Sequence, residues 1–227
     1  MSYLSRIDHA FSDAPVLPLS ENGRYVLFSD CHRGIGTSND NFLKNQHLYF
    51  AALNYYYQHS FCYIELGDGD ELWENRSFSA IQNIHSNVFW LLSLFYEEHR
   101  LFMLFGNHDI AKKDFHPFSD CCFHEGLRLK DCVTGQELYL THGHQADFFN
   151  STLWRLSCFL VRYLWKPLEQ FGVLDPTSAA KNYKVKNKTE QRLQEWTKLH
   201  KKILITGHTH RPVLGSKDSL YFNLSLI

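Results

Sequence analysis

The sequence predicts an α/β fold, because strand-like and helix-like segments alternate along the first half of the chain. Five short apolar runs, rich in β-branched and aromatic residues and bounded by turn residues, have the pattern of buried strands. The runs cover residues 24–29, 61–66, 101–105, 137–141 and 203–206. Apolar residues spaced three and four apart predict helices over 42–57 and 78–99, the second capped by Ser77. Alternation at this spacing implies βαβ units and a sheet that is parallel at least in its first half.

A short polar string follows each of the five runs. The strings are Asp30-Cys31-His32, Gly67-Asp68, Gly106-Asn107-His108-Asp109, His142-Gly143-His144 and Gly207-His208-Thr209-His210. Open α/β sheets bind ligands beyond the carboxyl ends of their strands. We therefore expect the five strings to meet at one rim of the fold.

Carboxylate, carboxamide and imidazole groups dominate these strings. Such donors suit Mn, Zn or Fe, and the absence of clustered thiolates argues against a Cys-rich structural zinc site. Asp68 stands alone at the tip of its predicted strand and is the natural carboxylate to bridge two divalent ions. Because such an ion pair lowers the pKa of a shared water, the pattern predicts hydrolysis of phosphoesters near neutral pH.

Taken in order over residues 30–210, the strings resemble the calcineurin-like metallophosphoesterases, whose pattern is D-x-H, GD, GNH[DE], a His before Gly, and GHxH. The resemblance implies a metallophosphoesterase-type β-sheet sandwich flanked by helices, with a basic helical cap insertion at about 147–200, in a single domain spanning 1–227. It implies two divalent metal ions as cofactors, with manganese favoured and iron, zinc or nickel as alternatives. It makes His108 the proton donor to the leaving group and Asp109 its orienting partner. The implied ligands are Asp30, His32, Asp68 and His210 for one metal, and Asp68, Asn107, His142 and His208 for the other.

A narrower resemblance concerns residues 67–73, GDGDELW, which are similar to the GDxxExW of bacterial UDP-2,3-diacylglucosamine diphosphatases. The long helical segment before Gly207 is also similar to the insert that covers the substrate's acyl chains in those enzymes. His108 and His144 stand where that branch usually has Arg and Asp. The resemblance implies a UDP-sugar-lipid-like diphosphate as substrate. The candidate substrate-binding residues are Arg33, Trp73, His144 and Arg211.

Several alternatives stay open at this stage. A general phosphatase or a nuclease of the same family would carry the same strings, and a metal-binding scaffold without activity is a non-enzyme alternative. His144 has four readings: a residue behind the ligands, a contact to substrate, a polar turn residue, or a direct metal ligand. We expect a small phosphorylated substrate, lipid-linked in the favoured reading, rather than nucleic acid.

Composition and sequence patterns indicate the cellular compartment of the protein. The 227 residues are 44% hydrophobic and 21% charged, which is ordinary for a soluble globular domain. The sequence has no signal-peptide pattern and no apolar run of the roughly 18 to 20 residues that a spanning helix needs. The six Cys residues lack CxxC spacing, which fits a reducing compartment. These features predict a cytoplasmic protein.

Residues 151–202 differ from the rest of the chain. They contain eleven Lys and Arg against four Asp and Glu, a net charge of +7, so the remainder carries −8. Within them, 152–171 predicts a helix that is apolar over more than half its circumference, and a second helix is predicted over 190–200. The first helix is either buried against the core, or it is a lid or a membrane-surface helix. The second alternative predicts peripheral membrane contact through 152–171.

Overall fold

Two β-sheets pack face to face, and helices cover the outer side of each sheet. The computed structural model describes residues 1–37, 40–114, 118, 123–165, 182–216 and 218–224. The helices are α1 Tyr3–Ala10, α2 Gln46–Gln58, α3 Phe78–Ile84, α4 Ser86–Glu97, α5 Phe148–Ser151, α6 Trp154–Leu160 and α7 Tyr183–His200. The strands are β1 Val16–Leu19, β2 Tyr25–Phe28, β3 Cys62–Leu66, β4 Leu101–Leu104, β5 Phe123–His124, β6 Gly126–Asp131, β7 Glu137–Thr141, β8 Ile203–Thr206 and β9 Tyr221–Asn223. Short 3₁₀ helices cover Ile110–Asp114 and His144–Ala146, and a π-helical turn, Val161–Trp165, continues α6.

The four-stranded sheet has the order β2-β3-β4-β5 and is parallel throughout its described strands. The five-stranded sheet has the order β1-β6-β7-β8-β9, and β6 with β7 is the antiparallel pair among its described strands. All five predicted runs form strands, and the predicted parallel arrangement of the first half is confirmed. The α/β sandwich flanked by helices is therefore the observed fold class.

Three apolar clusters hold the layers together. Between the sheets, Ile64 and Leu66 of β3 face Leu127 and Leu140 of the other sheet. Successive side chains of a strand point to opposite faces, so Tyr63 lies on the outer side, in the cluster that joins the four-stranded sheet to α2, α3 and α4. On the far side of the five-stranded sheet, side chains from α1 and α7 pack against β7, β8 and β9.

The helix predictions are correct in position but differ at their ends. The predicted helix 78–99 is two helices that meet at His85, a buried residue whose Nε2 lies 3.0 Å from Asp40 Oδ2. Ser77 caps α3 as predicted, since its Oγ accepts a hydrogen bond from Ala80 N. Helix α2 begins at Gln46 rather than at 42, because the Asp40 carboxylate holds a turn by accepting from the backbone N–H of Phe42. Helix α7 begins seven residues before the predicted start at 190.

The predicted helix 152–171 forms as far as Trp165, and residues 166–171 lie outside the described residues. Within 154–165, the buried residues are Ser157 and Val161. Leu156 and Phe159 are about half exposed, as are Tyr163 and Leu164 further along. The described part of this helix is therefore not an ordinary core helix. No helix in the described part of the chain is long and apolar enough to cross a membrane.

Trp196 of α7 should contribute strongly to stability. It is 2% exposed, its ring lies 5.7 Å from those of Phe11 and Tyr139, and its Nε1 donates to Asp8 Oδ1. We expect Trp196→Ala to lower the free energy of unfolding by about 3 to 5 kcal/mol, because the change leaves a cavity. Trp90→Ala is the matched control, since Trp90 is 58% exposed, and should change stability by less than about 0.5 kcal/mol. Equal losses in urea-induced unfolding would contradict this prediction.

Candidate metal centre

The five polar strings meet at one edge of the sandwich. Those after β2, β3 and β4 extend from the four-stranded sheet, and those after β7 and β8 extend from the five-stranded sheet. Backbone hydrogen bonds join neighbouring loops, with Asp30 N donating to Gly67 O (3.1 Å) and His32 N donating to Asp68 O (2.9 Å). Across the sheets, the His208 backbone N–H donates to the Asp30 carboxylate (3.0 Å). The expectation that the strings lie at one rim is confirmed.

Five of the predicted ligands have an uncommon backbone conformation, with φ in the left-handed region. They are Asp30 (55°), His32 (49°), Asp68 (51°), His208 (74°) and His210 (48°). The described residues include three further non-glycine positions of this kind, Ser60, His99 and Lys201, which lie just after the C-terminal ends of α2, α4 and α7. Each non-glycine residue in this conformation lowers the stability of the fold by on the order of 1 to 3 kcal/mol. Such a conformation persists only where contacts around the residue enforce it. Strain concentrated at five ligand positions therefore marks this rim as a functional site.

Glycines allow the ligand loops to approach each other closely. Gly67 has φ of +89°, and a Cβ there would lie 2.5 Å from the backbone N of Gly106. A Cβ on Gly207 would overlap Ser29 Oγ and the Asp30 carboxylate. A side chain at either position would push the ligand loops apart.

The first group of candidate ligands consists of Asp30, His32 and His210. The Nε2 atoms of His32 and His210 are 3.2 Å apart, and His210 Nε2 lies 3.4 Å from Asp30 Oδ1. Two nitrogens bound to one ion at about 2.0 to 2.1 Å, at angles near 90 to 110°, would be about 3.0 to 3.4 Å apart. The observed spacing fits one ion held by all three side chains.

The second group consists of Asp68, His142 and His208. His142 Nδ1 donates to Leu66 O (2.9 Å), which directs its Nε2 into the site, 3.1 Å from Asp68 Oδ2. Buried His208 Nε2 and Asn107 Oδ1 have no hydrogen-bond partner among the described residues. Buried polar atoms are rarely left without a partner, so these two atoms fit a bound cation. The predicted ligand set is compatible with a second ion here.

Asp68 lies between the two groups. Its Oδ2 is 3.1 Å from His142 Nε2 and 3.9 Å from His32 Nε2, while its Oδ1 accepts from the His108 backbone N–H (2.8 Å). Each group also combines residues of both sheets, since Asp30, His32 and Asp68 follow strands of one sheet and the remaining His ligands follow strands of the other. Asp68 is thus placed where a carboxylate could contact two ions.

Glu71 is the functional residue that the motif reasoning did not single out. Its carboxylate accepts from His32 Nδ1 (2.9 Å) and from His108 Nδ1 (2.8 Å). Because an ionised carboxylate only accepts, both imidazoles carry their proton on Nδ1 and present Nε2 on the opposite side of the ring. One carboxylate therefore sets the orientation of a candidate ligand and of the candidate acid. The sequence signal was its position three residues after Asp68, within the GDxxExW resemblance.

The predicted role of Asp109 as orienting partner of His108 needs correction. Its carboxylate accepts from the backbone N–H groups of Asp68 (3.1 Å), Gly69 (3.1 Å) and Gly106 (2.7 Å), and from Lys112 Nζ (2.7 Å). Asp109 thus holds the bridging loop in place, whereas Glu71 contacts the His108 ring.

A group of buried ions lies behind the metal centre. Lys112 Nζ sits 2.5 Å from Asp70, 2.7 Å from Asp109 and 3.6 Å from Glu65, and all four side chains are fully buried. These carboxylates also form a potential metal group, but the Lys112 ammonium already occupies the cation position. Burial alone would lower the pKa of Lys112, but the three carboxylates raise it above its usual value. The ammonium therefore stays charged.

Arg33, a candidate substrate-binding residue, belongs to the same buried group. It is 0% exposed, its Nε donates to Asp70 (2.7 Å), and its Nη2 donates to Glu65 (2.9 Å). These contacts place its guanidinium in the interior rather than on a surface open to substrate. We assign Arg33 a structural role.

The other candidate substrate-binding residues lie around the rim. The Trp73 indole is buried and stacks on the His108 ring, with centroids 4.3 Å apart. His144 is buried behind the second ligand group, 5.5 Å from the His142 ring, so its surroundings favour the reading of a residue behind the ligands. Arg211 is partly exposed and pairs with Glu190 of α7. A contact with substrate stays a prediction for Arg211.

Electrostatic coupling among these groups is strong. Burial alone would raise the pKa of Asp68, but the His142 and His108 imidazoles lower it well below its usual value. Burial alone would lower the pKa of His108, but the Glu71 and Asp68 carboxylates raise it to about 10. Asp68 likewise raises the pKa of His142 against burial, to about 9, so an ion binding at Nε2 must displace a proton. Burial and the neighbouring His142 lower the pKa of His208 to about 3, so that imidazole is neutral.

No family model and no curated protein matches the chain. Among solved structures, it is similar to a conserved uncharacterized protein from Streptococcus pneumoniae TIGR4, described as a predicted phosphoesterase. That match has 15% sequence identity and a TM-score of 0.39, and covers 88% of this chain and 70% of that chain. Similarity at this level is too weak to assign an activity, which must come from the site itself.

Glu71→Gln should weaken metal binding although Glu71 is not an assigned ligand. A neutral amide cannot accept both imidazole protons as strongly, so His32 loses its fixed orientation. We expect metal affinity to fall by about 10- to 100-fold, measured by competition with a chromogenic chelator. Glu97→Gln removes the same charge from an exposed position at the end of α4 and should leave affinity unchanged. Equal affinities for both variants would remove Glu71 from the support of the site.

Proposed function

We propose that the protein is a metal-dependent hydrolase of phosphoesters or phosphoanhydrides with a dinuclear centre. The observation that carries this proposal is the pair of ligand groups that meet at Asp68, one with Asp30, His32 and His210 and the other with His142 and His208. Carboxylate, carboxamide and imidazole donors suit Mn, Fe, Zn or Ni, and manganese is our preferred metal. When bound, two such ions lower the pKa of water and stabilise negative charge on phosphoryl oxygens.

In the proposed reaction, some residues of the site bind or support the metal ions, and one residue transfers a proton. Asp68 and Asn107, together with Asp30 and the four His ligands, would hold the ions. Asp109 holds the loop of Asp68, and Glu71 orients the His32 and His108 rings. His108 lies at the rim with 23% of its side chain exposed, and its Nδ1 donates to Glu71. Its Nε2 is then the atom that can give a proton to the leaving oxygen.

The competing functions differ in what they require of this site. A scaffold would not need His108 held by Glu71 and stacked on Trp73, since His108 is not among the candidate metal ligands. A nuclease would need a basic track for the nucleic-acid backbone. Lys184 and Lys188 are exposed on α7 and could contact such a backbone. Measured activity on nucleotides and on other phosphoesters therefore decides between a nuclease and the other functions.

For the substrate, we propose a diphosphate with an apolar portion, of the UDP-sugar-lipid kind, handled at the cytoplasmic membrane surface. The support is an exposed apolar surface on the cap, which we call the cap face. Its members are Phe148, Phe149, Leu156, Phe159, Tyr163 and Leu164. Phe148 is in ring contact with Phe149, and Phe159 with Tyr163. Exposed apolar side chains of this kind are typical of a lipid or ligand contact. Arg162 lies between Phe159 and Tyr163 in the sequence and donates to the Trp73 carbonyl. The helix that carries the cap face therefore contacts a loop of the site.

Turnover should depend on metal and on Asp68. We expect the Mn-loaded protein to hydrolyse at least one class in a panel of nucleoside-diphosphate sugars, nucleotides and aryl phosphates. A chelator should abolish that turnover and Mn should restore it. Asp68→Asn should lower both metal content and turnover, the latter by at least about a hundredfold, because a neutral bridge holds two dications poorly. Asp13→Asn, at an exposed site, is the control. Stoichiometric metal with no turnover on the whole panel would favour the scaffold.

The cap face should affect KM for apolar substrates alone. We expect Leu156→Ser with Phe159→Ser to raise KM for an acylated diphosphate by about tenfold or more, because lost apolar contacts weaken binding. The KM for a small aryl phosphate should not change. Leu48→Ser with Trp90→Ser, at exposed apolar positions elsewhere, should alter neither value. The same KM increase for both substrates would rule out a lipid-binding cap face.

A further inference from the structure

The cap is attached to the site through a charged side chain. Arg162, in the π-helical turn, donates from Nε to Trp73 O (2.7 Å) and from Nη2 to Leu72 O (2.8 Å). One guanidinium thus binds the carbonyl groups of two consecutive residues. Hydrogen bonds from a charged donor are stronger than neutral ones, and two parallel bonds also fix direction. Arg162 therefore holds the backbone of residues 72–73 in one place relative to the cap.

The segment that Arg162 holds is the one that positions His108. Glu71 accepts from His108 Nδ1, and the Trp73 indole stacks on the same imidazole with an interplanar angle of 24°. Asn75 closes a turn onto this segment, because its Nδ2 and its backbone N both donate to Glu71 O. The acceptor and the stacking surface of His108 thus belong to one short turn.

Few side chains of residues 154–165 are fully buried. In the described residues 154–165, the buried side chains are Ser157 and Val161, and the cap face points outward. A second polar contact, from Arg76 to the Tyr163 hydroxyl, lies next to the Arg162 contacts. Two arginines, one on each side of the contact, therefore join residues 162–163 to residues 72–76.

We infer that Arg162 is a positioning residue that couples the cap to His108 through residues 71–73. When the cap is docked, the turn holds His108 against Trp73 and Glu71 with Nε2 directed to the rim. Without the Arg162 contacts, the Leu72 and Trp73 carbonyls lose their donor and the turn is released, so His108 loses its fixed orientation. Proton donation is thereby tied to the docking of residues 161–165 against this turn. The role of His108 as proton donor rests on the proposed function, whereas the coupling itself does not.

The kinetic test uses substrates that differ in their need for a proton donor. His108→Ala should lower kcat for an alkyl phosphoester by about 10² to 10⁴ and spare an activated aryl phosphate, whose leaving group needs no proton. Arg162→Ala should show the same selectivity with a smaller loss, about tenfold or more, and Arg162→Lys should recover part of it. In the His108→Ala background, Arg162→Ala should cost no more than about twofold, since the two residues act through one step. Arg155→Ala removes the same charge from an exposed position on α6 and is the control.

A second readout does not require turnover. In histidine-labelled, zinc-loaded protein, the ring current of Trp73 should displace the His108 ring signals, which His108→Ala and Trp73→Ala identify. Arg162→Ala should move these signals toward the positions found in Trp73→Ala, while Arg155→Ala should leave them unchanged. Metal content and Tm measured alongside separate this effect from loss of the site or the fold.

Different results would contradict the coupling through Arg162 and the proposed hydrolase function. Unchanged His108 signals in Arg162→Ala, or an equal loss of kcat on both substrate types, would overturn the coupling. If no phosphoester is hydrolysed by the wild-type protein, the proposed function fails, and the His108 signals still decide whether the cap positions this ring.

Discussion

The rest of the site depends on the Asp68 carboxylate lying between two sets of ligands. Its backbone is in a left-handed conformation. A Cβ on Gly67 would collide with the Gly106 backbone, and a Cβ on Gly106 would collide with the Asp68 carboxylate. Asp109 stabilises this arrangement by accepting the N–H groups of the Asp68 loop, and buried Lys112 balances the charge of Asp109. The geometry of one ligand is thus maintained by groups that would touch neither metal nor substrate.

Residues 67–76 combine most of the elements that the proposed chemistry needs. This single segment after β3 supplies the bridging carboxylate, the acceptor for two imidazoles, the ring that stacks on His108, and the carbonyls that receive Arg162. Because all are on one stretch of backbone, a displacement of the segment would alter ligand, acid and cap together. A mutation that alters only one of these functions must therefore replace a side chain without displacing the backbone of this segment.

The sequence predicted where the candidate ligands lie better than it predicted the residues that support them. Asp30, Asp68 and the His residues could be predicted since each follows an apolar run, and the topology of parallel strands brings such positions to one edge. Lys112 gave no such signal, because the sequence IAKKD reads as a solvated surface turn, and only the three carboxylates around it explain its burial. Strand β1 was not predicted, since Pro18 interrupts its strand pattern and is tolerated because β1 is an edge strand. Asp109 was predicted to orient His108, whereas Glu71 accepts the hydrogen bond from the His108 ring. Adjacency in sequence does not specify where a loop directs its carboxylate.

Each ligand group draws on both sheets, and this has a mechanical consequence. Asp30, His32 and Asp68 follow strands of the four-stranded sheet, while His142, His208 and His210 follow strands of the five-stranded sheet. An ion bound to either group would act as a cross-link between the two halves of the sandwich, closing a chain loop in the way that a disulfide does. The sheets could then separate only after the ion had left, so resistance to unfolding and to proteolysis would follow the occupancy of the centre.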